Sequence, residues 1–446
     1  MSADLLLKNC RFLYGDSLFD GCIGVRSGKI CYLGKEASAP PASEIQGLSG
    51  NIVLPGLCDV HTHLRDLSQS YKEDFYTGTC SALAGGFTTL LDMPIPSVPS
   101  ESLRQLQDKI SSASSKAVVN VGFHSGLPET SEELYTIKKI GAFGLKIYMN
   151  RRENLDGGDY RAVEQAMVKA HKVGLPAVVH AEDLVTIERL EKVYKNSDLG
   201  SFEAFLRTRP PRTEADAVAR VLDMVRKIGT RTHFCHLSVQ RSIELLRSAK
   251  TEGLPVSCEA TPHHLFLTSK AMYIFGGKSL VAPPLRSQVQ RRALWQGLHE
   301  GVIDVVASDH APHTIAEKRT GDIWQIPPGI PGLETTLPLL LTAWKRGKLT
   351  LRQIQELLAE RPCRLFGIMS KGLLEVGKDA DLVVVDINRS FIVNPESFHS
   401  KAKHSPFQGW KLFGKVVKVF LKGNLAMEDG RILVKPGSGS IVRCSS

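Results

Sequence analysis

The chain has 446 residues, a formal net charge of +10 and a pI near 9.1. That length exceeds a single domain of about 150 residues, and 42% hydrophobic with 23% charged residues is an ordinary globular composition. The 56 basic residues are spread without a block of like charge. This argues against a nucleic-acid or membrane-binding patch and favours an anionic small-molecule substrate. The N-terminal stretch MSADLLLKNC carries an early Asp and only a short leucine run, unlike a signal peptide. No apolar run approaches the roughly 18 residues of a membrane span. The nine cysteines are Cys10, Cys22, Cys31, Cys58, Cys80, Cys235, Cys258, Cys363 and Cys444. They are odd in number and form no CxxC pair. A reducing, cytoplasmic setting without a disulfide framework is expected.

Residues 1–54 read as short strands. LLLKNCRFLY, GCIGVRSG and KICYLG are apolar or alternating, with turn signals at Gly15-Asp16 and Ser27-Gly28. Residues 375–446 read the same way, through DADLVVVDI, KVVKVFLKG and RILVKPG. Two all-β ends around a different middle predict one composite β-sandwich. Residues 55–374 alternate strand and helix. After the strand that enters VHTH come GFTTLLDMP, AVVNVGFHS, AFGLKIYM, LPAVVHAED, TRTHFCHLS, LPVSCEATPHH and IDVVASDHAPH. Helical patterns follow them: DYRAVEQAMVKAHKVG stops at Gly174 and SVQRSIELLRSAKTEG at Gly253. Eight β-then-α units predict an α/β fold, a (β/α)₈ barrel. The competing doubly wound sheet lacks its glycine-rich dinucleotide fingerprint.

The ends of those strands carry the chemistry. His61 and His63 are two apart, and on an extended strand such residues point to one side. They can hand two nitrogens to one ion. Lys146 lies in GLKIYM, His180 in VVHAED, His236 in FCHLS and Asp309 in ASDHAPH. In a barrel all six would converge on the C-terminal mouth. Four imidazoles, a carboxylate and a lysine exceed the ligands of one tetrahedral ion and suit two. An ammonium repels a cation. Carboxylated by CO₂, however, Lys146 becomes a carbamate whose two oxygens can bridge a pair of ions. The plainer alternative is a lysine that snorkels or pairs with Asp309.

DVHTHLRD, YKEDFYTGT, AGGFTTLLDMP, GLKIYM, HAED, CHLS, EATPHHL, APPLR, ASDHAPH and GIPGLETTLPLLL occur in this order. With these motifs the chain, from about residue 8 to 424, resembles the cyclic amidohydrolases of the amidohydrolase superfamily, dihydroorotases most closely. The resemblance implies two zinc ions per chain. His61, His63 and Asp309 would hold the first, His180 and His236 the second, with carboxylated Lys146 between them. It implies the terminal sandwich, and reversible hydrolysis of a cyclic amide, N-carbamoyl-L-aspartate to L-dihydroorotate, in pyrimidine biosynthesis. Asp309 would be the catalytic proton carrier. Arg65 would pair with the substrate carboxylate and His313 would add a hydrogen bond. Partner expectations are a homo-oligomer and, as for some relatives, association with aspartate transcarbamoylase. Two asparagines common in dihydroorotases are replaced by Ile95 and Ala282, which lean towards allantoinase. The alternatives are therefore an allantoinase or hydantoinase-like enzyme, or an inactive family member kept as a partner subunit. The complete ligand set speaks against the last. Residues 314–328 are expected to form an active-site loop.

Overall fold

The computed structural model describes residues 2–94, 102–128, 130–150 and 158–444. The N-terminal part forms β1 (Ala3–Tyr14), β2 (Ser17–Arg26), β3 (Lys29–Gly34) and β4 (Ala42–Pro55). The middle forms β5 (Leu57–Thr62), β6 (Phe87–Asp92), β7 (Asn120–Phe123), β8 (Leu145–Tyr148), β9 (Ala177–His180), β10 (Thr232–Phe234), β11 (Val256–Ala260) and β12 (Val305–Val306). These eight strands fall where the apolar runs of the sequence place them. The C-terminal part forms β13 (Leu382–Ile392), β14 (Lys411–Leu421), β15 (Asn424–Glu428) and β16 (Arg431–Ile432).

Both ends of the chain share one eight-stranded sheet, ordered β16-β15-β14-β13-β4-β1-β2-β3. The seam is the antiparallel β4–β13 pair, with Leu54 opposite Val383. One face carries a core of its own, including Leu7, Phe12, Ile23, Ile30, Val53, Leu382 and Phe420. Residues past β16 leave this sheet. Val442 donates to the Val121 carbonyl and Cys444 to that of Gly141, so the tail lies along β7.

The middle strands are all parallel, in sheets β5-β6-β7 and β12-β11-β10-β9-β8. Parallel bridges Ser125–Leu145 and Thr62–His310 join the two sheets at both edges. Parallel neighbours need crossovers, and helices supply them. The helix Tyr160–Val173 shows how one is delimited. Asp159 accepts from the Arg161 N–H at its start, and Gly174, at φ 72°, closes it. Alternation then sorts side chains by face. Leu145, Ile147, Ala177 and Val179 pack with the helices, whereas Val178 joins Cys58, Val60, Leu91, Cys235 and Val305 on the other side. Lys146, between Leu145 and Ile147, is thereby turned away from the helices and is buried. The structure is thus a mixed α/β fold.

Candidate metal centre

A cavity of about 450 Å³ opens at the ends of these strands. His61, His63, His180, His236 and Asp309 all line it, with Arg65, Tyr148 and Arg209. The four imidazoles form a chain of neighbours. Ring centroids are 5.3 Å apart for His61–His63, 5.2 Å for His61–His236 and 4.5 Å for His180–His236. Asp309 Oδ1 lies 3.3 Å from His61 Nε2 and 3.4 Å from His63 Nε2. The backbone is strained at three of the site residues. Arg65, His236 and Asp309 have φ of 62°, 33° and 45°, a left-handed region that costs a non-glycine residue roughly 1–3 kcal/mol. Surrounding bonds hold it there. Asp59, fully buried, accepts from the His61 N–H through one oxygen and the Ser308 N–H through the other, so it ties β5 to the segment carrying Asp309.

Lys146 is present but turned. Its Nζ donates to Cys235 Sγ at 2.9 Å and lies 4.8 Å from the Tyr148 ring centroid. The plain pairing with Asp309 is not made. Burial lowers His180 to about 4, against the opposing pull of Glu182. Burial, with His180 and His61 nearby, pushes His236 well below its ordinary value. Both are therefore neutral at pH 7, the form in which imidazole is a ligand. Burial opposes a charge on His61 as well, but Glu259, Cys235 and Asp309 outweigh it and raise its pKa. The donor set fits divalent ions. His61, His63 and Asp309 offer atoms within 4.8 Å of one another. His236 Nδ1 is buried with no hydrogen-bond partner among the described residues, a loss of about 1–3 kcal/mol if nothing occupies it. His180 Nε2 is engaged by Glu182 Oε2 at 2.9 Å, which leaves Nδ1 as the nitrogen that could take an ion.

The two residues expected to bind substrate stand differently. Arg65 faces the cavity, and two carboxylates near it in sequence have other partners. Asp66 pairs with Lys116 at 2.9 Å, and Glu73 bonds Ser400 and Thr77. His313 is not among the cavity-lining residues. Its Nε2 lies 3.3 Å from Arg65 Nη2, while Lys72 Nζ reaches Nδ1 at 3.2 Å. Because an ammonium only donates, Nδ1 is the acceptor, and Nε2–H donates to the Pro328 carbonyl at 3.1 Å. His313 therefore packs against Arg65 without a hydrogen bond to it. Ala282 lines the cavity, whereas Ile95 lies outside the described residues.

Pro328 and Gly329 close one side of the cavity, so the segment expected as a loop does border it. Within it the short helix Ile315–Lys318 carries a buried lysine. Lys318 Nζ donates to the carbonyls of Pro327 at 2.9 Å and Leu280 at 3.2 Å, and so ties together two cavity-lining segments. Burial drags its pKa down to about 7, with Arg65 and Lys72 adding to the fall and Glu317 opposing it. Between that value and about 10.4, the unfolded chain holds a proton that the folded chain lacks. Stability should then rise with pH across this window and be flat, with the full penalty, below it. The excess of the wild-type melting temperature over that of Lys318→Met should grow from pH 7 to 10. Parallel curves would contradict this assignment.

Sequence reasoning missed the carboxylates behind the histidines. Glu259 sits in SCEATPHH and Glu182 in HAED; a carboxylate inside or just after an apolar strand run was the available signal, since a buried charge needs partners.

The comparisons agree with this geometry. Residues 52–426 match the model of the Amidohydrolase family. A dihydroorotase of Methanosarcina acetivorans is 35% identical, with 99% of this chain and 96% of that protein aligned. An allantoinase of Streptomyces avermitilis is 31% identical over 97% of this chain and 98% of its own. The solved L-hydantoinase (dihydropyrimidinase) from Arthrobacter aurescens superposes with a TM-score of 0.94 at 32% identity, over 99% of this chain and 100% of that one. With nearly the whole length shared and the histidines gathered on one cavity, the chain belongs to the amidohydrolase family.

Proposed function

We propose that the protein is a zinc-dependent cyclic amidohydrolase acting as a dihydroorotase. The carrying observation is a guanidinium, Arg65, facing the same cavity as four histidines and Asp309. A cyclic amide that also bears a carboxylate fits that pairing, because Arg binds carboxylates through two parallel bonds. His61, His63 and Asp309 would hold one ion and His180 and His236 the other, with Lys146 bridging as a carbamate. For that, Lys146 must leave Cys235 and swing towards the imidazoles. Bound ions would supply a polarised carbonyl and a hydroxide at neutral pH. The chain's own residues do the rest. Arg65, with His313 packed against it, orients the substrate carboxylate. Asp309, over the His61–His63 pair, takes a proton from the attacking oxygen and hands it to the leaving ring nitrogen. In the synthetic direction it removes the amide proton of carbamoyl aspartate.

The framework we propose is a closed (β/α)₈ barrel of residues 55–374, supported by the two bridges that join the sheet edges. Residues 1–54 and 375–446 would form the composite sandwich, supported by a core on one face of their common sheet. A cytoplasmic location is supported by nine free cysteines, seven of them buried. Among the described residues no helix is long and apolar enough to cross a membrane.

A second reading, allantoinase or a hydantoinase-like enzyme, is favoured by Ala282, which faces the cavity where dihydroorotases carry asparagine. Steady-state kinetics on dihydroorotate, carbamoyl aspartate, allantoin and hydantoin separate the two. Dihydroorotate should be preferred. Arg65→Ala should lower kcat/KM for it by about 10- to 150-fold, the range for a hydrogen bond to a charged group. Turnover of allantoin or hydantoin with dihydroorotate inert, and Arg65→Ala harmless, would establish the second reading instead.

A further inference from the structure

We infer that Glu259 is a positioning residue shared by both halves of the candidate metal centre. The inference rests on the two-ion reading above. Glu259, on β11, is fully buried. Its Oε1 receives two donors, His61 Nδ1 at 2.5 Å and the backbone N–H of His236 at 3.0 Å. Its Oε2 meets His233 Nε2 at 3.1 Å, and His233 Nδ1 meets Ser257 Oγ at 2.8 Å. Among the described residues no lysine or arginine pairs with it. The carboxylate is surrounded by histidines and one backbone amide.

Two consequences follow from that single oxygen. An acceptor at Nδ1 keeps a proton of His61 there, so Nε2, which faces Asp309 and the cavity, is the nitrogen that can give up its proton to a metal ion. The second concerns His236. Its φ of 33° is a conformation that a side-chain-bearing residue avoids, and the N–H bond to Oε1 holds it. That backbone sets the ring against His180 and His61. His61 and His236 are assigned to different ions. One oxygen therefore orients a ligand of each, across two strands, by a tautomer on one side and a backbone torsion on the other. Glu182 provides the contrast. Its hydrogen bonds are to His180 and to Arg209, at 2.9 and 3.2 Å, so it serves one of the histidines only.

The test compares the zinc-loaded full-length wild type with Glu259→Ala, Glu259→Asp, Glu259→Gln and Glu182→Ala. Ions per chain, the rate and amplitude of zinc release to a chelator, and the visible spectrum after cobalt substitution are measured. Glu259→Ala should weaken both ions by about 10- to 100-fold each, the usual cost of losing a partner behind a ligand. Glu182→Ala should weaken one. In Glu259→Gln the amide oxygen can still accept from His61 and His236, while its NH₂ faces His233, which can shift its proton to Nδ1 beside Ser257. This variant should recover both ions to within a few-fold and keep the wild-type cobalt spectrum. Should the alanine variant not fold, Glu259→Asp carries the same expectation, since its shorter side chain draws the carboxylate back from both histidines. Retention of both ions at wild-type affinity, or loss of one alone, in the alanine or aspartate variant overturns the inference. So does a glutamine variant as weak as alanine. A wild type that binds a single ion removes the two-ion reading and this inference with it, and that result is visible before any variant is made.

Discussion

Lys146→Ala is expected to abolish turnover and to leave the protein unable to hold two divalent ions. Leu145 and Ile147 pack with the helices on the opposite face, so strand alternation fixes the direction of Lys146. It is buried within electrostatic reach of His61, His180, His236 and Asp309. A fixed ammonium there would oppose every cation the imidazoles attract. The ammonium gives up one proton, the amine nitrogen then joins the carbon of CO₂ and releases a second, and the loss of two protons turns a positive group into a negative one with two oxygens. That reversal is what makes the surrounding histidines a ligand set. Lys146→Arg should fail equally, because a guanidinium keeps its charge and forms no carbamate. Metal content per chain and a ¹³C signal from labelled bicarbonate, present in wild type and absent in both variants, are the measurements. Active wild-type enzyme with an unmodified lysine would sink the carbamate.

The cavity-lining histidines and Asp309 were legible because strands announce themselves. Four of the eight middle runs give way to polar residues that line the cavity: His61 and His63 in the first, His180 after Val178-Val179, His236 after Phe234-Cys235 and Asp309 shortly after Val305-Val306. The terminal sheet was legible as composition, since both ends alternate, though not the seam between β4 and β13, a pairing of residues more than 300 positions apart. What lay beyond reading was anything set by register between strands. Glu259 is 198 positions from His61 and meets it only because the sheets close at their edges. His313 was expected to touch the substrate; the structure packs it between Lys72, Arg65 and Pro328, an arrangement that no spacing in ASDHAPH implies. Cavity walls drawn from crossover segments, such as Arg209 at the end of the helix Ser201–Thr208, carry no local signature. Nor does positive φ at His236 and Asp309, where tertiary bonds override the residue's preference.

Asp309→Asn isolates the proton carrier. The substitution keeps the size and one acceptor oxygen of the side chain, so the contacts of Oδ1 with His61 and His63 can persist. It removes the negative charge and the ability to accept and release a proton. The backbone should tolerate the change. Asp309 sits at φ 45°, and asparagine is among the residues that best accept that region. If Asp309 moves the proton from the attacking oxygen to the leaving nitrogen, kcat should fall by at least about 10²-fold, the lower end for general acid–base catalysis. KM should change much less, because on the proposed reading Arg65 and not Asp309 pairs with the substrate carboxylate. Ion content must be measured on the same preparation, so that a weakened ligand is not mistaken for a lost base. With both ions retained, a fall confined to kcat supports the shuttle. Near-normal turnover at full metal content would assign the proton transfer to another group on the cavity wall.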